Sequence, residues 1–291
     1  MAIVPQTVAD ADLQPANALL GLCGNLADVL GPALAGVIVA TTAPGWGLAA
    51  DAGTFVASAA FLAFMRPRAV AVVTVGENTL AQLRAGWRAF RSRTWLWASV
   101  VYFSVYLAVV FSPFLVLGPI VAKSSLGGAG AWAAISAALG VGAVAGGIAG
   151  LRWQPRRPLR TAFLMFLVAG PALIVLLAAH APLAAILAAA LVDGASGTLF
   201  NVFWFTAQQR EIPPEEQSRV SSWDYLGSLA LQPVGLAATG PVAAAVGVAA
   251  TLYGAAALSV LLTLAVLAVP AVRAFAPAGP TTPGSGSTDP A

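Results

Sequence analysis

RPRAVAVVTVGENTLAQLRAGWRAFRSR, residues 66–93, is the longest interruption in an otherwise apolar chain, and it carries six arginines: Arg66, Arg68, Arg84, Arg88, Arg91 and Arg93. Its second half has the spacing of a two-faced helix. Leu80, Leu83, Trp87 and Phe90 recur at steps of three and four, while Arg84, Arg88 and Arg91 fall elsewhere. Such a helix lies along a membrane surface, with its rings and leucines in the headgroup boundary and its arginines among anionic lipids. The plainer reading is a solvated linker helix. Either way the stretch divides the chain unequally, with two long apolar segments before it and six after it.

The rest of the chain explains why a membrane is the reference frame. It is 59% hydrophobic and 9% charged, with a mean hydropathy of +0.86, whereas a soluble domain carries about a quarter charged residues. This composition predicts an all-α, polytopic membrane helical bundle. The arginines are spread over short loops, which argues against a nucleic-acid partner. Cys23 is the single cysteine and His180 the single histidine, so neither a disulfide framework nor a cysteine or histidine metal site is expected, and no cofactor. Residues 1–14 lack a basic segment and carry Asp10 and Asp12, which is not a cleavable signal.

A spanning helix needs about 20 apolar residues. Eight stretches qualify: 16–40, 46–65, 95–121, 129–151, 161–179, 183–206, 222–245 and 248–270. Eight alternating spans place Arg66–Arg93, Arg152–Arg160, Arg210, Arg219 and Arg273 on one side and leave Lys123 on the other. The positive-inside rule makes that side cytoplasmic, together with both termini. Trp46, Trp95, Trp97, Trp132, Trp153 and Trp223 fall at predicted helix ends, where indole anchors to the interface. The tail from about residue 276 is rich in Pro, Gly, Ser and Thr and is expected to be disordered.

The opening VPQTVADADLQPANALLGLCGNLADVLGPALAG (4–36) has an echo in IPPEEQSRVSSWDYLGSLALQPVGLAATG (212–240). A single offset pairs Asn17 with Ser221, Gly24 with Ser228, Asp28 with Gln232, Gly31 with Gly235 and Gly36 with Gly240. Both copies open on a prolyl, acidic loop and enter a helix with a polar stripe, as expected of two copies of one unit. Parallel repeats of this kind build several transporter folds. On these residues the chain resembles the major facilitator superfamily, in its bacterial drug and siderophore exporter-like branch. The residues carrying the likeness are P-x-x-V-x-x-x-x-L-x-x-A-N-A-L (5–19), GPALAG (31–36), LAADAGTFVASAAFL (48–62) and PPEEQSRVSSW (213–223). GPALAG, with Gly31, Pro32 and Gly36, looks like the antiporter signature of the family's fifth helix. GGIAGLRWQPRRP (146–158) resembles the family's cytoplasmic Gly/Arg motif without its acidic residue.

The resemblance spans residues 4–275 and implies the fifth to twelfth helices of that fold. Residues 1–65 then read as a remnant of the N-terminal half with two transmembrane helices, and 66–94 as the cytoplasmic central loop with its amphipathic helix. Residues 95–275 form the six-helix C-terminal half, and 276–291 the tail. The chain is expected to be N-terminally truncated and not to export on its own. The implied function is proton-coupled efflux of small amphipathic compounds by alternating access, in a bacterial inner membrane, with lipid, protons and a small-molecule substrate as partners.

Ionisable groups inside a bilayer cost about 2.5–3.5 kcal/mol each and call for a reason. Asp28 lies about mid-way along the first span, on a stripe with Asn17, Gly21, Asn25 and Pro32; Asp193 opens a second stripe with Gly197, Asn201, Trp204 and Gln208. Both are candidate proton-coupling carboxylates, against the alternative of acids satisfied by a neighbouring helix. By resemblance the Asp193 helix lines the cavity, so Asn201 and Trp204 are candidate substrate contacts. Tyr102 and Tyr106 share a face of the third span, and paired rings suit planar, amphipathic substrates, although packing explains such pairs as well. Asp224, with Ser228, Gln232 and Gly235, forms a further stripe, and near a helix end it suits capping or an ion pair. Pro32, Pro113, Pro171 and Pro233 are expected to kink their helices. Gly142, Gly146 and Gly150 permit close helix approach.

Two other classes remain. Gly194-Ala195-Ser196-Gly197 resembles the serine motif of intramembrane rhomboid proteases, but His180 precedes it at a connecting turn, so an enzyme is not expected. A non-transporting membrane remnant or scaffold is the main alternative.

Overall fold

The computed structural model describes residues 4, 7–41, 44–64 and 79–276; within these, the side chains of Asp10, residues 28–41, Pro44, Trp46, Ala50, Thr79, Leu80 and Ala129 lie outside the description. The tail 277–291 and the first part of the arginine stretch, 65–78, also lie outside it. Among the described residues all regular structure is helical. The first apolar stretch is α1 (Leu13–Thr41), entered through a 3-10 turn at Asp10–Asp12, and the second is α2 (Pro44–Phe64). The amphipathic segment is α3 (Thr79–Arg91). Then come α4 (Thr94–Tyr106), a π-helical segment Leu107–Phe111, α5 (Ser112–Ser125), α6 (Ala129–Gly150), α7 (Pro158–Ala178) and α8 (Leu183–Glu211). The chain closes with α9 (Pro214–Leu229), α10 (Gln232–Val246), α11 (Val248–Ala268) and the single turn α12 (Pro270–Arg273).

Seven segments among the described residues are long and apolar enough to cross a membrane: Gly47–Phe64, Thr94–Ser125, Gly130–Gly150, Pro158–Ala178, Leu183–Glu211, Pro214–Val246 and Val248–Ala268. With α1 in front they occupy the eight apolar stretches of the sequence. Backbone polar groups have no water partner in hydrocarbon, so a helix is the local answer for each stretch.

Two of these spans are interrupted, and proline chemistry accounts for both. Pro113 supplies no N–H, and the helix widens into the π segment just before it. The Ser112 hydroxyl donates to the Leu107 carbonyl at 2.7 Å within that widening. Pro233, near the start of α10, leaves the break at Ala230–Leu231 that separates α9 from α10. By contrast α7 runs through Pro171 without interruption.

The core is the bundle formed by α4–α8 and α11. Its closest contact joins α6 and α8, where a Cβ on Gly142 would collide with the Leu191 carbonyl, on Gly146 with that of Ala195, and on Gly194 with that of Leu139. The glycines therefore bring the two backbones together directly, as the sequence suggested. A second layer is α1, which packs on α6 and α8. Helix α2 touches only α1 appreciably and presents Leu48, Phe55, Phe61 and Phe64 outward.

The arginine-bearing segments gather at one end of the bundle. Gln14 at the start of α1 donates to the carbonyls of Gly150 (2.9 Å) and Trp153 (2.7 Å) beyond α6. Arg93 pairs with Glu216 at 2.9 Å, joining the α3–α4 corner to the first turn of α9, and Trp95 meets Phe275 at 4.8 Å between ring centroids. Lys123 lies in the last turn of α5, at the opposite end.

The interfacial tryptophans correct one expectation. Trp95 is buried against Trp204 and Phe275, Trp132 covers Gly118 and Phe114, and Trp223 packs tilted against Trp87 of α3. Trp95 and Trp132 fill space between helices near the starts of α4 and α6, and Trp223 does so in the middle of α9, against α3. Trp97 and Trp153 stay partly exposed and retain the anchoring geometry. Trp46 has its side chain outside the described residues.

Candidate functional site

The site lies where α4, α7, α8 and α11 converge. The Tyr102 and Tyr106 rings stack at 5.5 Å with an interplanar angle of 22°, one turn apart on α4. Both are buried. The Tyr102 hydroxyl shares a hydrogen bond with Thr263 Oγ1 of α11 at 3.1 Å. Phe163 stands edge-on to Tyr102, Phe166 edge-on to Tyr106, and Phe200 meets Phe103, Phe163 and Phe166. The result is an aromatic nest drawn from three helices.

One carboxylate reaches it. Gly170 on α7 leaves open a space in which a Cβ would lie 3.0 Å from the Tyr106 hydroxyl and 3.6 Å from Asp193 Oδ1. The glycine thus brings a phenol from α4 and an acid from α8 to the same spot. Asp193 is half-buried, with Gly197 and Asn201 following on its helix face. A Cβ on Gly197 would meet nothing within 4 Å and Asn201 is exposed, so this edge of α8 faces open space.

The stripe expected from Asp193 to Gln208 therefore divides in two. Its first half, Asp193, Gly197 and Asn201, borders the tyrosine pair and the open edge. Its second half turns inward. Trp204 is buried and its indole N–H donates to Asp224 Oδ2 at 3.1 Å. The Gln208 amide donates to the same oxygen at 2.8 Å, and the Ser228 hydroxyl to Oδ1 at 3.3 Å. The structure thus does not bring Trp204 and Asn201 together, because the wide indole follows Asp224 on α9. The sequence suggested a cap or an ion pair for Asp224. Three neutral donors hold it instead, and two of them, Trp204 and Gln208, tie the last turns of α8 to the middle of α9. The signal was present as a Trp and a Gln one turn apart on α8 with an acid in the middle of the next helix, though no spacing rule links residues twenty apart.

A third polar cluster docks α1. Asn17 Nδ2 donates to Gln209 Oε1 (2.6 Å) and to Thr206 Oγ1 (3.1 Å), and Gln209 Nε2 returns a bond to Asn17 Oδ1 at 3.2 Å. Higher on the same face Asn25 Nδ2 donates to Thr198 Oγ1 at 3.1 Å, so Asn25 has a partner on α8. Asp28, Gly31, Pro32 and Gly36 belong to α1, but their side chains lie outside the described residues. The serine of the Gly-Ala-Ser-Gly motif is occupied by its own helix: Ser196 Oγ donates to the Val192 carbonyl at 2.7 Å. His180 sits in the turn before α8 with φ of 51°, about 20 Å along the axis from Ser196 at 1.5 Å per residue, so the two cannot form a nucleophile–base pair.

No group of three or more His, Cys, Asp and Glu among the described residues could hold a metal ion. Neither a curated protein nor a solved structure matches this chain. Residues 1–227 match the Major Facilitator Superfamily. That match covers more than half of the chain and agrees with an all-helical bundle of membrane-length helices, and it places the protein's work in membrane transport: this chain belongs to the major facilitator superfamily.

Proposed function

We propose that this chain serves in proton-coupled export of small amphipathic compounds by alternating access, with Asp193 as the proton carrier and the Tyr102–Tyr106 pair as the surface on which the substrate's planar part rests. The convergence of Asp193 and the Tyr106 hydroxyl beside Gly170 is the observation that carries this reading. An acid within a spanning helix costs free energy and is kept where it moves charge. Here it adjoins two stacked rings and an open edge of α8, so an aromatic, positively charged or dipolar guest would meet a π surface and a carboxylate together. Protonation of Asp193 would remove the counter-charge and release the guest, which couples one proton to one exit. Asn201, on the same open edge, supplies an amide to a polar part of the substrate. Trp204 serves at one remove, by holding α8 to α9 through Asp224. Asp28, which belongs to α1, is the second candidate carrier, and Gly31, Pro32 and Gly36 are the candidates for the bend and close approach that rocking requires. We place the arginine-rich end and both termini in the cytoplasm of a bacterial cell.

Binding of tetraphenylphosphonium to the purified protein, followed by intrinsic fluorescence, tests the site. Asp193→Asn should weaken binding at least tenfold, and Tyr106→Phe less, because the ring is kept. Unchanged affinity in Asp193→Asn together with a Tyr102→Ala/Tyr106→Ala variant would remove this pocket from the account.

A further inference from the structure

Helix α3 does not lie free. Its Trp87 packs on Trp223 of α9, with ring centroids 5.0 Å apart, and the Trp223 indole N–H donates to the Leu83 carbonyl at 3.3 Å. Gly86 allows this approach: a Cβ there would lie 3.0 Å from Arg219 Cβ and 3.3 Å from the Trp223 ring. The docking leaves an open groove of about 770 Å³ lined by Leu83, Arg84, Trp87, Arg88 and Trp223. Leu83 and Trp87 remain 48% and 44% exposed although they face the groove, so its apolar wall is incomplete.

The charges in the groove point to one class of occupant. Arg84 and Arg88 stand one helical turn apart, both exposed, and no hydrogen bond or ion pair to either guanidinium group is found among the described residues, whereas that of Arg93 nearby is paired with Glu216. Among the described residues no carboxylate lines the groove. On the far side of Leu83 and Trp223 a smaller recess of about 210 Å³ is lined by Gln82, Ser218, Arg219 and Ser222, which are hydroxyl, amide and guanidinium groups. Two guanidinium groups without a partner among the described residues form a site for phosphate oxygens. A soluble anion has no use for two indoles and a leucine beside it. Helix α9 opens the membrane-length segment Pro214–Val246, so the groove sits where that segment leaves the bilayer. We propose that α3 and α9 together hold one anionic glycerophospholipid, its phosphate between Arg84 and Arg88, its acyl chains along Leu83, Trp87 and Trp223, and its headgroup towards the Ser218–Ser222 recess. The lipid would complete the apolar wall and fasten the segment between the two parts of the chain to α9.

The test is native mass spectrometry of the purified full chain offered equal amounts of phosphatidylglycerol and phosphatidylcholine. One tightly retained phosphatidylglycerol is expected, and Arg84→Gln/Arg88→Gln should weaken its retention roughly ten- to thirtyfold, since each basic group near a lipid surface contributes about fivefold. A control with the same charge loss elsewhere, Arg152→Gln/Arg156→Gln, should keep the preference. Equal retention of the two lipids by the wild type would overturn the proposal. So would an equal loss in the control, which would mean general charge attraction. Displacement of the lipid by inorganic phosphate at millimolar concentration would also overturn it, because the site would then read phosphate without the chains. Each variant is compared at matched helicity by circular dichroism. Should the double variant misfold, Arg88→Gln alone is expected to give about a fivefold loss, and no loss there contradicts the assignment.

Discussion

Two helix interfaces in this bundle are built in opposite ways. Where α6 meets α8, Gly142, Gly146 and Gly194 lay one backbone directly on the other, and both helices run unbroken through the contact. Where α4–α5 meets α9–α10, glycine again allows close approach, since a Cβ on Gly235 would collide with the Ala108 carbonyl. Here, however, both partners are interrupted: one by the π segment Leu107–Phe111, the other at Ala230–Leu231. An open groove of about 550 Å³ lies beside that contact, lined by Ala108, Pro113, Val234 and Thr239 among others. The same small-residue device thus gives a rigid pair in one place and a deformable one in the other. The continuity of the hydrogen-bonded helix decides which, and not the glycine itself. For a transporter this separates a fixed platform, which carries Asp193, from the elements that bend beside it.

The comparison makes graded predictions. Gly194→Ala should destabilise the bundle by about 4 kcal/mol, because the added methyl must displace the backbone of an unbroken α6; Gly235→Ala should cost only about 1 kcal/mol, since α10 can shift at its break. Thermal unfolding in detergent measures both, and equal costs would erase the distinction. Asp224→Leu should come next, at about 3 kcal/mol, by leaving the Trp204 and Gln208 donors buried without an acceptor; Asp224→Asn should recover most of it. Asn17→Ala should cost about 1 kcal/mol and loosen α1, read as faster proteolysis between α1 and α2. Arg93→Gln is expected to be smallest, about 0.5 kcal/mol, because its pair with Glu216 is partly exposed and screened by salt.

Much of this bundle was legible before any coordinates. The spacing of apolar runs located every membrane-length helix, since each run has a single way to satisfy its backbone in hydrocarbon. Gly142 and Gly146 announced a close helix approach, though not that α8 would be the partner, and Pro113 and Pro233 stand beside the two interruptions, whereas α7 continues through Pro171. The polar clusters were harder. Periodicity put Asp193, Asn201 and Trp204 on one stripe, but which neighbour each residue meets depends on helix rotation, which the sequence of one helix does not contain. Trp204 went to Asp224 on α9, and Asp193 to Tyr106 across Gly170 on α7. Likewise the apolar face of α3 was visible as a face, while its partner, Trp223, lies more than a hundred residues away.

The account turns on Asp193 as the group that trades a proton for substrate. Titration calorimetry of tetraphenylphosphonium binding, repeated in buffers of different ionisation enthalpy, counts the protons released per ligand bound. The account predicts release of a proton by the wild-type protein on binding and none by Asp193→Asn. Equal proton release by both proteins would contradict it.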